Sequence, residues 1–344
     1  MGAPGIGDPL ERYRAILLGR AYARYLLTRS VSIDETMGTS TGERWEVHHA
    51  RMYEQRVLVA AGTAPSMASK SLMDLKRELA GEALKACCLC ERDCRVDRTR
   101  GVRGRCGVIE PRIASHFVHM GEEEPLVPSF TVFFAGCNLE CVFCQNYDIS
   151  TRPGCGREIP AGELADIIDR RAEGTGAAGI RNVNWVGGDP TPNLHYILDV
   201  LSHTGANIPQ VWNSNMYLSE RSMVLLDGVI DIYLTDLKYG NDACALRLSG
   251  VPGYMRVVTR NHLMAASQGE VMVRHLMLPG HLHCCTMPII DWLADNMPGA
   301  AVNIMAQYRP EHRARDYPEL RGRIPLSEHN RALDLARQKG LRLI

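Results

Sequence analysis

From residue 126 onward, strand-like and helix-like segments alternate, and this constrains the fold more than anything else in the chain. The strand candidates are 130–136, 181–187 (RNVNWVG), 209–214 (PQVWNS), 229–236 (VIDIYLTD), 271–277 (VMVRHLM) and 301–306 (AVNIMA). Helix-like runs lie between them at 161–173, 191–203, 219–226, 255–268 and 286–296. A last helix, 327–339, is followed by apolar Leu341–Ile344. Serial βα units imply a parallel sheet with right-handed crossovers. Six units in residues 126–344 fall short of a full eight-unit barrel, which takes ~250 residues. An open, partial barrel is expected, with its chemistry at the C-terminal ends of the strands.

The first strand runs into Gly136, and Cys137, Cys141 and Cys144 follow as C-x3-C-x2-C. A disulfide pattern leaves one of the three over, and a structural zinc site usually takes four ligands. A [4Fe–4S] cluster with three cysteines keeps one iron open to a small molecule. The competing reading is a structural site whose fourth ligand lies elsewhere. After the second strand comes Gly187-Gly188-Asp189-Pro190, where glycines let the backbone approach a ligand closely. Asn213, Ser214 and Asn215 follow the third strand, as ribose partners or ordinary turn residues. Asp236 and Lys238 follow the fourth and share one face of an extended segment. The fifth carries Arg274, with a guanidinium suited to a carboxylate or a ribose. His275 is expected on the opposite face. His281, His283, Cys284 and Cys285 are expected in a loop over the active site, since adjacent cysteines seldom both reach one ion. Gln307 and Tyr308 follow the sixth strand and close the site or face substrate.

Upstream, Cys87, Cys90, Cys94 and Cys106 are spaced C-x2-C-x3-C-x11-C, with Cys88 as a substitute ligand. They suit zinc or a second iron–sulfur cluster, or remain free thiols. Seven arginines between Arg92 and Arg112 form a solvated or cluster-flanking face. Residues 1–86 read as helices at Leu10–Leu27, Trp45–Ala61 and Leu72–Lys85, with a polar turn at Ser32–Gly42. His48 and His49, adjacent on a helix, do not share a face and read as core or surface residues. Three segments are expected: a helical extension (1–86), a Cys-rich metal-binding segment (87–125) and the barrel (126–344).

Lys+Arg and Asp+Glu both number 39, so net charge steers the chain toward neither nucleic acid nor membrane. No run approaches the ~20 apolar residues of a spanning helix. Twelve cysteines without a signal-type N-terminus point to a reducing, cytoplasmic setting.

The CNLECVFCQN stretch, with Phe143 at the aromatic position, resembles the signature of the radical S-adenosylmethionine (SAM) superfamily. His119-Met120-Gly121-Glu122-Glu123, VGGDPTP, WNSNMYLS, LTDLKYGND, RHLMLPGH, QYRP and CLCERDC are similar to the pyruvate formate-lyase activating enzyme homologues of the PflX type. The resemblance covers about residues 87–340. It implies an α/β fold with a partial (β/α)6 TIM-type barrel. It implies a [4Fe–4S] cluster on Cys137, Cys141 and Cys144, whose open iron chelates SAM. Reductive cleavage then yields a 5′-deoxyadenosyl radical that abstracts hydrogen from substrate. Phe143, Gly187, Gly188, Asp189, Asn213, Asn215, Asp236, Lys238 and Arg274 would seat SAM. The activity implied is that of a glycyl radical enzyme activase, served by an electron donor such as flavodoxin or ferredoxin. The alternatives are a radical SAM enzyme acting on a small molecule or another protein, and a non-catalytic iron–sulfur or zinc protein.

Overall fold

The computed structural model describes residues 8–33, 40–174 and 179–344. Most of the stretch read as a polar turn, 34–39, lies outside them. One eight-stranded sheet runs in chain order: β1 (Ile113–His119), β2 (Ser129–Phe134), β3 (Asn182–Gly187), β4 (Gln210–Ser214), β5 (Ile232–Asp236), β6 (Glu270–Leu276), β7 (Ala301–Met305) and β8 (Arg342–Leu343). β1 pairs antiparallel with β2, and all later pairs are parallel. Among the described residues, β8 does not pair back onto β1. The six expected strands are β2 to β7, each followed by a helix, and two further strands flank them. The expected α/β partial barrel is the observed architecture.

The connecting helices form where sequence and cap agree. Ala161–Ala172 buries Leu164, Ala165 and Ile168, an i, i+1, i+4 stripe. Ser219 caps Glu220–Leu226 by accepting from the Ser222 amide, and Asn241 caps Asp242–Ser249 through the Cys244 amide. The 242–249 helix was not legible, being short and half exposed.

The N-terminal residues bear on the barrel directly. The single helix expected over Leu10–Leu27 is two, Glu11–Leu17 and Arg24–Thr28. The break comes at Gly19, with φ +67. Leu10 and Tyr13 pack with Leu126, Val211, Ile232, Leu234, Met272 and Ala301, so the helix plugs the sheet's concave face. The Glu270 carboxylate accepts from the Arg12 and Tyr13 amides at 2.7 and 2.9 Å. The Tyr13 hydroxyl donates to the Pro125 carbonyl (3.2 Å) and accepts from Asn182 (3.1 Å). Each plug side chain contributes about 1.5–3 kcal/mol of burial.

Helices Thr41–Ala61 and Leu72–Glu82 form an outer layer. His48 is a buried core residue there, not a ligand, with Nε2 2.8 Å from Lys76 Nζ. Lys76 also donates to the Val224 and Leu225 carbonyls, at the end of helix 220–226. Burial pushes the Lys76 ammonium down to about 7. Between that value and the ordinary lysine range the unfolded chain holds the extra proton, so stability rises with pH. Wild type is expected to gain roughly 2 kcal/mol from pH 7 to 9 relative to Lys76→Met. Denaturant titrations of both chains check it, and parallel pH profiles would refute the assignment.

Candidate active site

The C-terminal ends of β2 to β7 open into a cavity of about 290 Å³. Cys137, Cys141 and Cys144 line it, with Phe143, Gly187, Gly188, Asp189, Asn213, Asn215, Asp236, Lys238 and Arg274. Every residue expected at the triad and in the SAM set therefore meets on one wall or another of a single space. Gln145, Asn146 and Gln307 supply an exposed polar rim.

The three thiols are held by donors. The Leu139 amide points at Cys137 Sγ (3.4 Å), as does Asn215 Nδ2 (3.7 Å). Ser249 Oγ donates to Cys141 Sγ at 2.9 Å, and Ser150 Oγ lies 3.3 Å from Cys144 Sγ. Burial pushes the Cys137 thiol well up, helped by the Asp189 charge. Burial raises Cys141 to about 11, against the nearby Lys238 charge. A positively charged metal centre offsets that penalty by taking the deprotonated sulfur. Three half-buried thiols on one cavity, with N–H and O–H donors aimed at sulfur, fit a [4Fe–4S] cluster.

Gly187 and Gly188 are glycines for a different reason than ligand approach. Gly187 has φ +132, and a Cβ there would stand 2.1 Å from the Phe134 amide nitrogen. At Gly188 it would stand 2.0 Å from the Gly136 carbonyl oxygen. The Gly188 and Asp189 amides donate to Phe134 and Gly136 carbonyls, at 2.8 and 3.0 Å. The glycines thus press the end of β3 onto the root of the cysteine loop.

Asp189 accepts from the Thr191 amide, Ser214 Oγ and the Asn215 amide at 2.9, 3.0 and 2.9 Å. Its carboxylate clamps the β3 and β4 ends together. Asn215 also bonds Asn138, at 2.7 Å. Arg274 was expected to offer its fork to a cofactor, but the fork is occupied. It bonds Asn213, Asp236 (3.2 Å) and Glu122 (3.2 Å). Glu122 in turn accepts from Asn184 at 2.9 Å, so one carboxylate links β3 to β6 across the concave face. Lys238 Nζ donates to Asp236 at 2.6 Å. Burial pushes the Asp236 carboxyl up, but the Lys238 and Arg274 charges outweigh it and hold it below its usual range. Lys238 retains two further N–H donors toward the cavity. Phe143 meets Tyr239 and Tyr308 edge-on, with centroids 6.3 and 6.2 Å apart.

The upstream cysteines form a knuckle beside the triad. The Cys87 amide bonds the Val96 carbonyl, and the Arg105 amide points at Cys94 Sγ (3.3 Å). Burial pushes the Cys90 thiol up, and Cys106, Cys87 and Cys94 all act on it. Cys106 lines a cleft of about 510 Å³ with Cys137 and Cys141. Cys88 lines a separate cleft with Trp45 and Arg221.

His275 does face away from the cavity, bonding the Leu237 carbonyl and Thr286 Oγ1 at 2.8 and 2.9 Å. Residues 281–285 are not a loop over the cavity. Leu282–Thr286 is a wide helical turn behind the β6 end, where His281, Cys284 and Cys285 meet Cys244. Among the described residues no helix is long and apolar enough to cross a membrane.

The Radical SAM superfamily model matches residues 131–293, which contain the cysteine triad and β3 to β6. An uncharacterized protein of Methanocaldococcus jannaschii, MJ0674, is 42% identical over 341 residues, covering 97% of this chain and 99% of that one. Among solved structures, methylornithine synthase (PylB) is 13% identical over 92% of this chain and 78% of its own, with TM-score 0.44. Streptococcus suis SuiB bound to S-adenosylmethionine is 16% identical over 60% of this chain and 47% of its own, also with TM-score 0.44. The chain therefore belongs to the same family as the Methanocaldococcus protein, and its residues 131–293 form a Radical SAM superfamily domain.

Proposed function

We propose that Cys137, Cys141 and Cys144 hold the [4Fe–4S] cluster that a radical SAM domain implies, and that the adjoining cavity seats SAM. When bound, these groups supply a 5′-deoxyadenosyl radical able to abstract hydrogen. The observation that carries the reading is the convergence of the triad and six strand-end polar residues on one cavity. In it, Lys238 directs its free donors at a carboxylate, beside Cys141. Arg274 and Asp236 hold each other charged and fix Lys238 and Asn213. Asp189 and the two glycines hold the cysteine loop against β3. Phe143, backed by Tyr239 and Tyr308, forms an apolar wall for a base.

For substrate, we propose a glycine in a partner protein, which the Asp236–Lys238 pair at the β5 end supports by its resemblance to the activases. The reductant would be a small protein donor such as flavodoxin or ferredoxin. A second reading, modification of a small molecule or a different protein, is favoured by the upstream cysteines. Cys87, Cys90, Cys94 and Cys106 would hold a second cluster or zinc beside the triad, a feature a minimal activase lacks. Residues 1–86 and 87–125 then serve as accessory segments to the barrel of 126–344.

Anaerobically reconstituted protein, reduced in the presence of SAM, is expected to form 5′-deoxyadenosine. Reduction should also give a [4Fe–4S] EPR signal that changes on adding SAM. Failure of both favours a non-catalytic iron–sulfur or zinc protein. A glycyl EPR doublet on a co-incubated glycyl radical enzyme separates the activase from the second reading.

A further inference from the structure

A second cluster of metal-ligand side chains lies outside the cavity. Cys244 sits in the first turn of helix 242–249, and His281, Cys284 and Cys285 sit in the wide turn after β6. In a regular helix neighbouring residues point some 100° apart, which is why Cys284 and Cys285 look unable to share an ion. The turn is wound wider, with the Thr286 amide reaching back to the His281 carbonyl at 3.2 Å. Such π turns recur at functional sites. Asn241 stitches the two loops together, donating to the Cys284 carbonyl at 2.7 Å while capping Cys244.

The four ligand atoms all lie within 4.8 Å of one another. The sulfur–sulfur edges are 3.9 Å (Cys244–Cys284) and 4.0 Å (Cys284–Cys285). His281 Nδ1 lies 3.5, 3.2 and 3.9 Å from Cys244, Cys284 and Cys285. Tetrahedral zinc with its usual bond lengths has S–S edges of about 3.8 Å and N–S edges of about 3.6 Å. A four-iron cube places each ligand on a separate iron and spreads them wider. Three thiolates and one imidazole, closed and tetrahedral, are a structural zinc donor set. His281 and Cys285 are buried and Cys284 is exposed, so the site has a protected interior and a route for metal entry.

We propose that Cys244, His281, Cys284 and Cys285 bind a single structural zinc ion that ties the loop after β5 to the loop after β6. Helix 242–249 begins at this tie and ends at Ser249. Ser249 bonds both Cys141 Sγ and the Tyr239 hydroxyl. The zinc therefore anchors the helix whose far end holds a triad sulfur. The donor geometry stands whether or not the triad carries the proposed chemistry.

The test is metal analysis of protein expressed with zinc. Carrying Cys90→Ala and Cys94→Ala to disable the upstream set, the chain is expected to retain one zinc. Adding Cys244→Ala or His281→Ala should remove it. Cobalt(II) added to the stripped parent should give thiolate charge-transfer and intense tetrahedral d–d bands. If the Cys90/Cys94 background does not fold, zinc-edge X-ray absorption of wild type against Cys244→Ala serves instead. It should show loss of a three-sulfur, one-nitrogen shell. Zinc content unchanged by Cys244→Ala, octahedral cobalt spectra, or a disulfide among these three cysteines in reduced protein would overturn the proposal.

Discussion

A Cys141→Ala chain is expected to assemble no cluster at the triad and to make 5′-deoxyadenosine only at background. Two thiols cannot hold three irons of a cube. The donors from Ser249 and Lys238 would then face an empty corner. The fold should survive, because the change removes one small sulfur at a cavity wall and costs on the order of 1 kcal/mol. Iron counting, EPR of the reduced protein and a thermal melt check the three parts together. Cys94→Ala is the internal comparison: it should leave the triad signal in place and change only the metal proposed for the upstream cysteines. A Cys141→Ala chain that kept both cluster and cleavage would remove the triad from the site.

Replacing Arg274 by methionine is expected to cost about 3–5 kcal/mol, because it takes the cation from the largely buried Glu122 side chain and leaves Asp236 with Lys238 alone. Lysine should rescue little, since an ammonium cannot span Asn213, Asp236 and Glu122 as the guanidinium does. The sign of the pH dependence follows. In wild type the Asp236 carboxyl sits below its usual range, so its contribution is present near neutrality and lost as pH falls into the carboxylate range. In the variant Asp236 keeps only Lys238, so less of that contribution is there to lose as pH falls. The gap between the two chains should narrow with acidification. Chemical denaturation at pH 7 and pH 5 measures it, and a constant gap would mean the arginine packs without acting electrostatically.

Strands β2 to β7 were legible because each is a short segment carrying β-branched or aromatic residues between helix-like runs. β1 was not, since its burial alternates and Ser115, His116 and His119 break up its hydrophobicity. β8 is two residues long, too short to leave a pattern. The positions of the triad and strand-end residues were legible because each follows its own strand, and a parallel sheet places all such ends on one rim. What they do there was less so. The partners of Arg274 and Asp189 depend on contacts between strands, such as Arg274 to Glu122 across 152 positions. The zinc-type cluster was hidden for a similar reason. His281, Cys284 and Cys285 are adjacent in sequence, but Cys244 joins them from 37 positions away. The wide turn that lets neighbouring cysteines converge leaves no periodic signature.

Helix 11–17 meets its cap across 257 positions, from the Tyr13 amide to Glu270. At about 5–20 residues per second of synthesis, this helix waits roughly 15–50 s before its socket exists. Leu10, Tyr13 and Ile16 stay without their final partners for that interval, and the contact carries the loop-closure cost of a highly non-local pairing. The earliest described residues to be made are thus among the last to settle. A chain whose β3 to β7 are misaligned offers them no seat. The docked helix is in effect a seal that closes only over a correctly assembled barrel.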